Sequence, residues 1–255
     1  MPPASIAQLT ARLRAHDARA LARAISHVED RSPLARPLLK RMAPRVGAAH
    51  RIGITGPPGV GKSTLIAHLA PHLKRPGHRL AILAIDPTSP LTGGAFLGDR
   101  VRMQSLVMDP RVFIRSLATR GTTHGLAPST QSVADLCDAA GADPILIETV
   151  GAGQADWAVT RLVQTTVVVL TPGLGDTMQL LKAGLLELAH ILVVNKADHR
   201  GAPALVQELQ RVFRRRDAET WPVRILSTVA EQDRGLPALA QAIRAHRSWL
   251  AKGLK

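Results

Sequence analysis

GPPGVGKS, from Gly56 to Ser63, is the stretch of this chain that decides its fold. The pattern is that of a phosphate-binding loop, in which glycines let backbone N–H groups turn inward around a phosphate. An apolar stretch, Arg51 to Thr55, precedes the loop, and a segment that favours a helix, Lys62 to Leu73, follows it. A helix N-terminus carries a partial positive charge, which adds to the attraction for phosphate. The order strand, loop, helix therefore predicts a nucleotide site at the end of a β-strand.

Each residue of the loop is a candidate for binding the nucleotide. Lys62 is expected to reach the β- and γ-phosphates as a point charge, and the Ser63 hydroxyl to ligate Mg²⁺. Thr64 comes next and is expected beside the α-phosphate. The phosphate-binding candidates are Gly56, Pro57, Pro58, Gly59, Val60, Gly61, Lys62, Ser63 and Thr64.

A second motif indicates which base is bound. Asn195, Lys196, Ala197 and Asp198 read NKAD and follow the apolar residues 191–194. The Asp198 carboxylate can accept hydrogen bonds from N1–H and the 2-amino group of guanine, whereas adenine has neither donor there. A site built for those donors rejects the wrong base by roughly four to five orders of magnitude. We therefore expect GTP and GDP as ligands, with Asn195, Lys196 and Asp198 in the base site.

Acidic side chains at strand ends predict a Mg²⁺ site. Glu148 follows an apolar strand and begins the sequence ETVG, which ends at Gly151. In phosphate-loop GTPases an acid at this position orders Mg²⁺, and the glycine offers its amide to the γ-phosphate. Asp86 ends the second apolar strand, and Asp99 closes a glycine-rich loop. Both are candidates for the Mg²⁺ and γ-phosphate side of the site, although capping the following helix is an alternative role for Asp99.

Hydrolysis of GTP at such a site depends on charge stabilisation more than on a general base. The transition state is loose, so Lys62, Mg²⁺ and backbone amides can offset the charge on the γ-phosphoryl group. Asp86 or Gln154 could hold the attacking water in line. The catalytic candidates are Lys62, Asp86, Asp99, Glu148 and Gln154, and the metal candidates are Ser63, Asp86, Asp99 and Glu148.

Apolar stretches alternate with segments of helical periodicity along the chain. Strands are predicted at 51–55, 80–85, 145–147, 166–170 and 191–194. Unbroken apolar strands that alternate with helices predict an α/β fold, a mostly parallel sheet with helices on both faces. Helical spacing over 4–28 and 32–44 predicts a helical hairpin before it. We expect an N-terminal helical extension at 1–48 and a phosphate-loop GTPase domain at 49–255.

The chain has 255 residues and a net charge of +14, which lies mainly in its two flanks. Residues 1–51 contain ten Lys and Arg against three Asp and Glu, whereas residues 52–199 contain twelve against eleven. A basic flank can bind an acidic partner or nucleic acid, or it can be a solvated helical face. Tyr is absent and Phe and Trp number three each, which disfavours binding to nucleic acid through base stacking.

Composition also excludes several classes of protein. The single cysteine, Cys137, excludes a disulfide framework and a multi-cysteine zinc site. No apolar run approaches the length of a membrane span, so no membrane partner is expected. The first residues lack the pattern of a secretory signal. Together these features predict a cytoplasmic protein.

Five longer stretches resemble the MeaB and ArgK-type GTPases associated with methylmalonyl-CoA mutase. They begin at residues 53, 84, 120, 145 and 185 and read GITGPPGVGKSTL, AIDPTSPLTGGAFLGDRVRM, RGTTHGLA, ILIETVGAGQAD and LLELAHILVVNKAD. The resemblance implies a Mg²⁺-dependent GTPase flanked by helical extensions. It also implies a G-protein chaperone, which gates cofactor loading of an adenosylcobalamin-dependent acyl-CoA mutase and protects that enzyme from inactivation.

The resemblance assigns roles to individual residues. Asp86, Asp99 and Glu148 match the acidic residues at the family's Mg²⁺ site. Residues 175–182 resemble a mobile loop that couples the nucleotide state to the mutase. Gln179 and Lys182 occupy the polar positions of that loop.

Two departures from the family pattern lie near the end of the chain. The motif that supports guanine usually reads Ser-Ala, and Ser227 and Thr228 stand there instead. The family also commonly continues past the equivalent of Trp249 into a helical arm that builds a dimer. A homodimer is therefore one assembly that the resemblance allows.

Two other functions fit parts of the sequence. A metal-delivery GTPase of the urease or hydrogenase maturation type shares the fold class, but needs a thiol- or His-rich site, and Cys137 is the one thiol present. A nucleotide-dependent binding module with incidental hydrolysis would use the basic flanks to dock an acidic partner or nucleic acid, and its affinity would fall steeply with salt.

Overall fold

A parallel β-sheet of seven strands forms the centre of the part of the chain that the structure describes. This computed structural model describes residues 5–86, 103–119, 129–151, 155–173, 185–213 and 220–253. The strands are β1 (Arg51–Thr55), β2 (Arg79–Asp86), β3 (Val112–Ala118), β4 (Ala142–Glu148), β5 (Thr165–Leu170), β6 (Ile191–Val194) and β7 (Arg224–Ser227). They lie in the order β3-β2-β4-β1-β5-β6-β7, and all neighbours are parallel. The predicted α/β fold class is confirmed.

Helices cover both faces of this sheet. They are α1 (Ile6–Arg14), α2 (Ala18–Glu29), α3 (Ala35–Met42), α4 (Lys62–Leu73), α5 (Gln104–Val107), α6 (Thr130–Ala139), α7 (Ala155–Thr160), α8 (Ala202–Phe213) and α9 (Leu236–Ala251). Successive side chains of a strand point to opposite faces. In β4, Leu146 therefore packs in the core formed with α4 and α9, while Ile145 and Ile147 pack in the core formed with α1–α3 and α6.

The N-terminal region forms three helices, where the sequence predicts two. The predicted helix over 4–28 is interrupted at His16, which has a φ of +58° and whose Nδ1 lies 2.6 Å from the carbonyl oxygen of Ala140. Asp17 then caps α2 by accepting hydrogen bonds from the backbone N–H groups of Arg19 and Ala20. A side-chain cap competes with helix continuation, so the helix restarts in a new direction at this point.

The three N-terminal helices share a core with the body of the molecule. Leu13, Ile25 and Leu38 are fully buried in the same cluster as Leu136 of α6. Fully burying a leucine or isoleucine contributes about 1.5–3 kcal/mol, so this contact fastens the helices to the sheet. The boundary at residue 48 stays a prediction.

The sequence pattern does not predict β3 and β7, the two strands at the edges of the sheet. In β3, Arg115 and Ser116 interrupt the apolar run, and Arg115 forms an ion pair with Glu29 of α2. In β7, Arg224 and Ser227 are exposed and the strand has four residues. Edge strands are buried on fewer sides, so they need fewer apolar residues and give a weaker signal.

A cluster of histidines lies at the amino end of the sheet, opposite the strand ends that carry the predicted site. Thr165 Oγ1 lies 2.7 Å from both His50 Nε2 and His246 Nδ1. The rings of His190 and His246 are 4.2 Å apart, and His246 stacks with Trp249. Burial lowers the pKa of His50 to about 4 and that of His246 to about 3, with nearby positive groups adding to the effect.

This cluster predicts that the protein loses stability as the pH falls below about 6.5. In the unfolded chain both histidines take up a proton near that pH, whereas His50 and His246 stay neutral in the folded state down to about pH 4 and about 3. The unfolded state then binds more protons, so the free energy of unfolding falls by up to about 1.4 kcal/mol per pH unit for each histidine. Urea unfolding from about pH 8 to about pH 4.5 measures this slope.

Replacing both buried histidines by glutamine should flatten the slope, and replacing the exposed His78 by glutamine should leave it unchanged. A double variant with the wild-type slope would show that other groups cause the acid sensitivity.

Candidate active site

Those predicted site residues that the structure describes meet at the carboxyl edge of the sheet. Thr55 ends β1 and leads into the phosphate loop, and Glu148 ends β4, which neighbours β1. Asn195 follows β6, and Thr228 follows β7. The strand order changes direction around β1. In open α/β sheets, ligands bind at such a point, in the crevice outside the carboxyl ends of the strands.

The phosphate loop is held in the close-fitting shape that its glycines permit. Gly56 has a φ of +138°, and a Cβ atom there would lie 2.1 Å from the carbonyl oxygen of Val169. No other residue fits this approach without a shift of β5. Helix α4 begins directly after the loop, at Lys62, so its N-terminus points at the loop.

Lys62 is buried at the centre of the loop. Its Nζ atom donates hydrogen bonds to the carbonyl oxygens of Gly56 at 2.8 Å and Pro57 at 3.0 Å. Gly151 crosses over this lysine, because a Cβ atom at Gly151 would lie 2.5 Å from Nζ. The ETVG segment therefore touches the phosphate loop, as expected for a segment that offers its amide to the γ-phosphate.

Side chains around Ser63 supply oxygen ligands of the kind that Mg²⁺ prefers. The Ser63 hydroxyl donates a hydrogen bond of 2.6 Å to Oε1 of Glu148, and both residues are buried. Glu148 pairs in register with Ala84 of β2, so the buried Asp86 lies two residues further along the neighbouring strand. A hydroxyl and two carboxylates suit a small hard cation, and these three residues fit Mg²⁺.

Asn195 joins the base motif to the phosphate loop. Its Nδ2 donates a hydrogen bond of 2.9 Å to the carbonyl oxygen of Val60. Its Oδ1 accepts hydrogen bonds from Thr228 Oγ1 at 3.0 Å and from the backbone N–H of Ala230 at 3.2 Å. Lys196 adds a second link, from its Nζ to the carbonyl oxygen of Gly59 at 3.0 Å. Hydrogen bonds therefore join the two motifs directly, although they lie about 130 residues apart in sequence.

A cavity of about 290 Å³ lies between these segments. Gly61 and Thr64 line it from the phosphate-loop side, and Asn195, Lys196 and Asp198 line it from the base motif. Sequence reasoning missed the rest of the wall, which comprises His199, Val229, Ala230, Glu231 and Gln232.

The residues after β7 that line the cavity, 229–232, therefore lie further along the chain than Ser227 and Thr228, the two that the sequence predicts. Ser227 is exposed and is not part of the cavity wall. Thr228 is buried and acts through its hydrogen bond to Asn195. The available signal is the short apolar pair Ile225 and Leu226, which marks a strand whose following loop would face the site.

Four predicted site residues lie outside the described residues. They are Asp99, Gln154, Gln179 and Lys182. The site described above is therefore built from the phosphate loop, Asp86, Glu148, Gly151, the base motif and the segment after β7.

The Thr228 hydroxyl predicts a measurable effect on nucleotide retention. Replacing Thr228 by valine keeps the shape but leaves Asn195 Oδ1 with the Ala230 N–H alone, at a cost of about 1 kcal/mol. We expect GDP to dissociate about fivefold faster, measured with a fluorescent GDP analogue in a stopped-flow instrument. The exposed neighbour Ser227→Ala serves as the control and should dissociate GDP at the wild-type rate. Equal rates for all three proteins would show that the hydroxyl does not position Asn195.

No helix in the described segments combines the length and the apolar character that crossing a bilayer requires. Nor do the described residues include a group of three or more His, Cys, Asp or Glu placed to hold a metal ion. Cys137 is buried, and burial raises the pKa of its thiol to about 12. A thiolate at this position is thus strongly disfavoured.

Comparison with known proteins finds a matching family model and several similar proteins. The family model described as methylmalonyl Co-A mutase-associated GTPase MeaB matches residues 21–254. A Pyrococcus abyssi protein whose name places it among GTPases is 44% identical over 254 residues, which are 97% of this chain and 78% of that protein. The methylmalonic aciduria type A homolog of Mus musculus, a mitochondrial protein, is 38% identical over 200 residues, 76% of this chain and 48% of that protein.

A solved structure shares the same fold. It is a LAO/AO transport system kinase, 29% identical, with a TM-score of 0.80 over 100% of this chain and 79% of that chain. The family match, the sequence identities and the hydrogen bond between the phosphate and base motifs all indicate a GTPase. This chain is a GTPase and belongs to the MeaB family of methylmalonyl-CoA mutase-associated GTPases.

Proposed function

We propose that this chain is a Mg²⁺-dependent G-protein chaperone that controls cofactor loading and protection of an adenosylcobalamin-dependent acyl-CoA mutase. The observation that carries the nucleotide part is the Asn195 link between base motif and phosphate loop, which ties recognition of guanine to the position of the phosphates. The partner is supported by the family description and by the name of the mouse relative.

The phosphate loop would stabilise the charge that develops on the γ-phosphoryl group. Lys62 donates hydrogen bonds to Gly56 and Pro57 at the start of the loop and supplies a positive charge in a buried setting, where electrostatic interactions are strong. The amide of Gly151, which lies over Lys62, would add a donor on the same side.

Ser63, Glu148 and Asp86 would hold Mg²⁺ against the phosphates, directly or through water. When bound, the ion supplies charge that neutralises the β- and γ-oxygens during phosphoryl transfer. Asp99 is a proposed fourth member of this set. Asp86 or Gln154 would orient the attacking water, and no general base is required.

Removing the metal should abolish hydrolysis. Excess EDTA is expected to lower GTP turnover by at least about 100-fold, with full recovery on adding Mg²⁺. Glu148→Gln keeps the shape and the bond from Ser63 but removes the charge, so this variant should need a higher Mg²⁺ concentration for half-maximal rate. The exposed Glu187→Gln provides no ligand and should keep the wild-type Mg²⁺ dependence. Turnover that persists in EDTA would contradict a metal-dependent reaction.

Coupling to the mutase would run through segments that follow the site. Gly151 lies next to Lys62 in the phosphate loop and precedes residues 152–154. Gln179 and Lys182 are the proposed contacts with the mutase. The nucleotide state would thus change the contact with the mutase, as the nucleotide state of GTPase switches does.

Loading of the mutase tests the function directly. Apo-mutase from the same organism is mixed with adenosylcobalamin and this protein, and cofactor binding is followed by its absorption spectrum. We expect loading to depend on whether GTP, a non-hydrolysable GTP analogue or GDP is bound. Equal loading with all three nucleotides would contradict the proposal.

The described residues offer no observation in favour of the metal-delivery alternative, since their His, Cys, Asp and Glu side chains, the histidines around Thr165 included, form no group placed to hold a metal ion, and Cys137 is buried. A cytoplasmic location and a homodimer stay predictions of the sequence.

A further inference from the structure

Helix α3 carries a row of exposed positive charge that the nucleotide site does not use. The row consists of Arg31, in the turn before α3, and of Arg36, Lys40 and Arg41 on the helix, and we name it the α3 ridge. Arg36 and Lys40 are four residues apart and therefore neighbours on the helix surface. The opposite side of α3 is buried in the core through Ala35, Leu38 and Met42.

The charge of the α3 ridge is not balanced locally. None of its four side chains forms an ion pair or a hydrogen bond with the residues that the structure describes. Among the acidic residues of α2 and its flanks, Asp17 pairs with Arg12 and Glu29 pairs with Arg115. Asp30, directly before Arg31, is the acidic residue that lies beside the ridge. One carboxylate beside four cations leaves the ridge with a net positive charge, which a group from outside the described chain could pair.

Two surface hollows border the ridge, and aliphatic side chains form part of the wall of each. The larger, of about 750 Å³, contains Arg31 and Arg36 together with Val28, Pro33 and Leu39. The smaller, of about 560 Å³, is lined by Ile6, Pro37, Lys40 and Arg41. Positively charged and aliphatic side chains that lie side by side suit a ligand that offers carboxylates and aliphatic side chains together.

We propose that the α3 ridge is a docking surface for an acidic protein segment, and that this segment belongs to the mutase. The choice of the mutase rests on the proposed function. A segment with Asp or Glu in a row would face Arg36, Lys40 and Arg41, and its aliphatic side chains would enter the hollows. Charge complementarity of this kind raises the association rate and selects the partner.

A protein fits this surface better than nucleic acid does. None of the described residues that line the hollows is aromatic, so bases would find no stacking platform. Glu29 and Asp30 border the larger hollow, so the surface alternates in charge there and does not match the unbroken row of negative charge on a phosphate backbone. A protein can place its carboxylates only where the arginines lie.

The larger hollow also connects the ridge with the body of the GTPase. Ser129 and Ser132, at the start of α6, form part of its wall. Helix α6 leads directly into β4, whose last residue is Glu148. A partner seated there would contact both the N-terminal helices and an element that runs to the site.

Charge reversal on the ridge tests the inference. Binding of the purified mutase to the full chain is measured by biolayer interferometry for wild type, for Arg36→Glu/Lys40→Glu and for Arg19→Glu/Arg23→Glu. The last variant makes the same charge change on exposed residues of α2 that line neither hollow. Circular dichroism and basal GTP hydrolysis check that each variant is folded.

We expect the ridge variant to bind the mutase about 10- to 100-fold more weakly, mainly through a slower association rate, and the α2 variant to stay within about threefold of wild type. The difference should shrink between about 50 and 300 mM NaCl, because salt screens exposed charges. The charge-preserving variant Arg36→Lys/Lys40→Arg should retain most of the affinity.

The possible failures are distinguishable. If wild type binds the mutase and the ridge variant binds equally well, the ridge is not the docking surface and the proposed function stands. If wild type shows no binding under any nucleotide, the proposed function fails, and with it the partner named here. If the ridge variant loses affinity for a duplex of about 20 base pairs while keeping the mutase, the surface binds nucleic acid and the inference is wrong.

Discussion

Replacing Lys62 by methionine is expected to lower kcat for GTP hydrolysis about 1000-fold. Methionine is similar in length and apolar, so the change removes the ammonium group with little change in shape. The charge on the γ-phosphoryl group then loses its closest protein cation, in a buried place where water cannot replace it. Single-turnover hydrolysis of radiolabelled GTP measures the chemical step separately from product release.

The control for this prediction is Lys252→Met, at the exposed end of α9. It makes the same chemical change far from the phosphate loop and should keep wild-type turnover. Because Lys62 donates to Gly56 and Pro57, the melting temperature of the variant should be compared with wild type before its rate is interpreted. A folded Lys62→Met protein within about fivefold of the wild-type rate would show that this lysine does not stabilise the transition state.

Replacing Asp198 by asparagine is expected to weaken GTP binding by roughly four orders of magnitude. The carboxylate can accept from both N1–H and the 2-amino group of guanine, and asparagine would set its own N–H donors against one of them. Xanthine carries a carbonyl oxygen in place of the 2-amino group, so the same variant should bind XTP better than GTP. Competition of GTP and XTP against a fluorescent GDP analogue measures both affinities.

Glu208→Gln, on the exposed side of α8, is the matched control for removing one carboxylate. It should keep the preference of wild type for GTP. If Asp198→Asn binds GTP as tightly as wild type does, then this residue does not recognise the base and the 290 Å³ cavity needs another occupant.

The parts of the fold that the sequence predicts are those set by local pattern. The phosphate loop, β1 and α4 coincide with their predicted bounds, because glycine spacing and buried apolar runs depend on few distant contacts. The break at His16 depends on a contact with Ala140, about 120 residues away, and such a contact leaves no local signal.

The candidate site divides in the same way. Lys62, Ser63 and Asp198 are predicted from motifs whose residue types follow from the chemistry of the ligand. The wall formed by Val229 to Gln232 was missed because β7 is short and half exposed, so its following loop could not be aligned with the strand ends. Only the parallel pairing of β6 with β7 brings that loop beside Asn195.

We expect a B₁₂-dependent mutase to raise the rate of GTP hydrolysis by this protein. The most direct measurement is steady-state GTP hydrolysis by the purified protein, with and without saturating mutase from the same organism and with serum albumin as the control protein. We expect slow basal hydrolysis that rises at least about 10-fold with the mutase and does not change with albumin. Unchanged hydrolysis at mutase concentrations that saturate binding would contradict the claim.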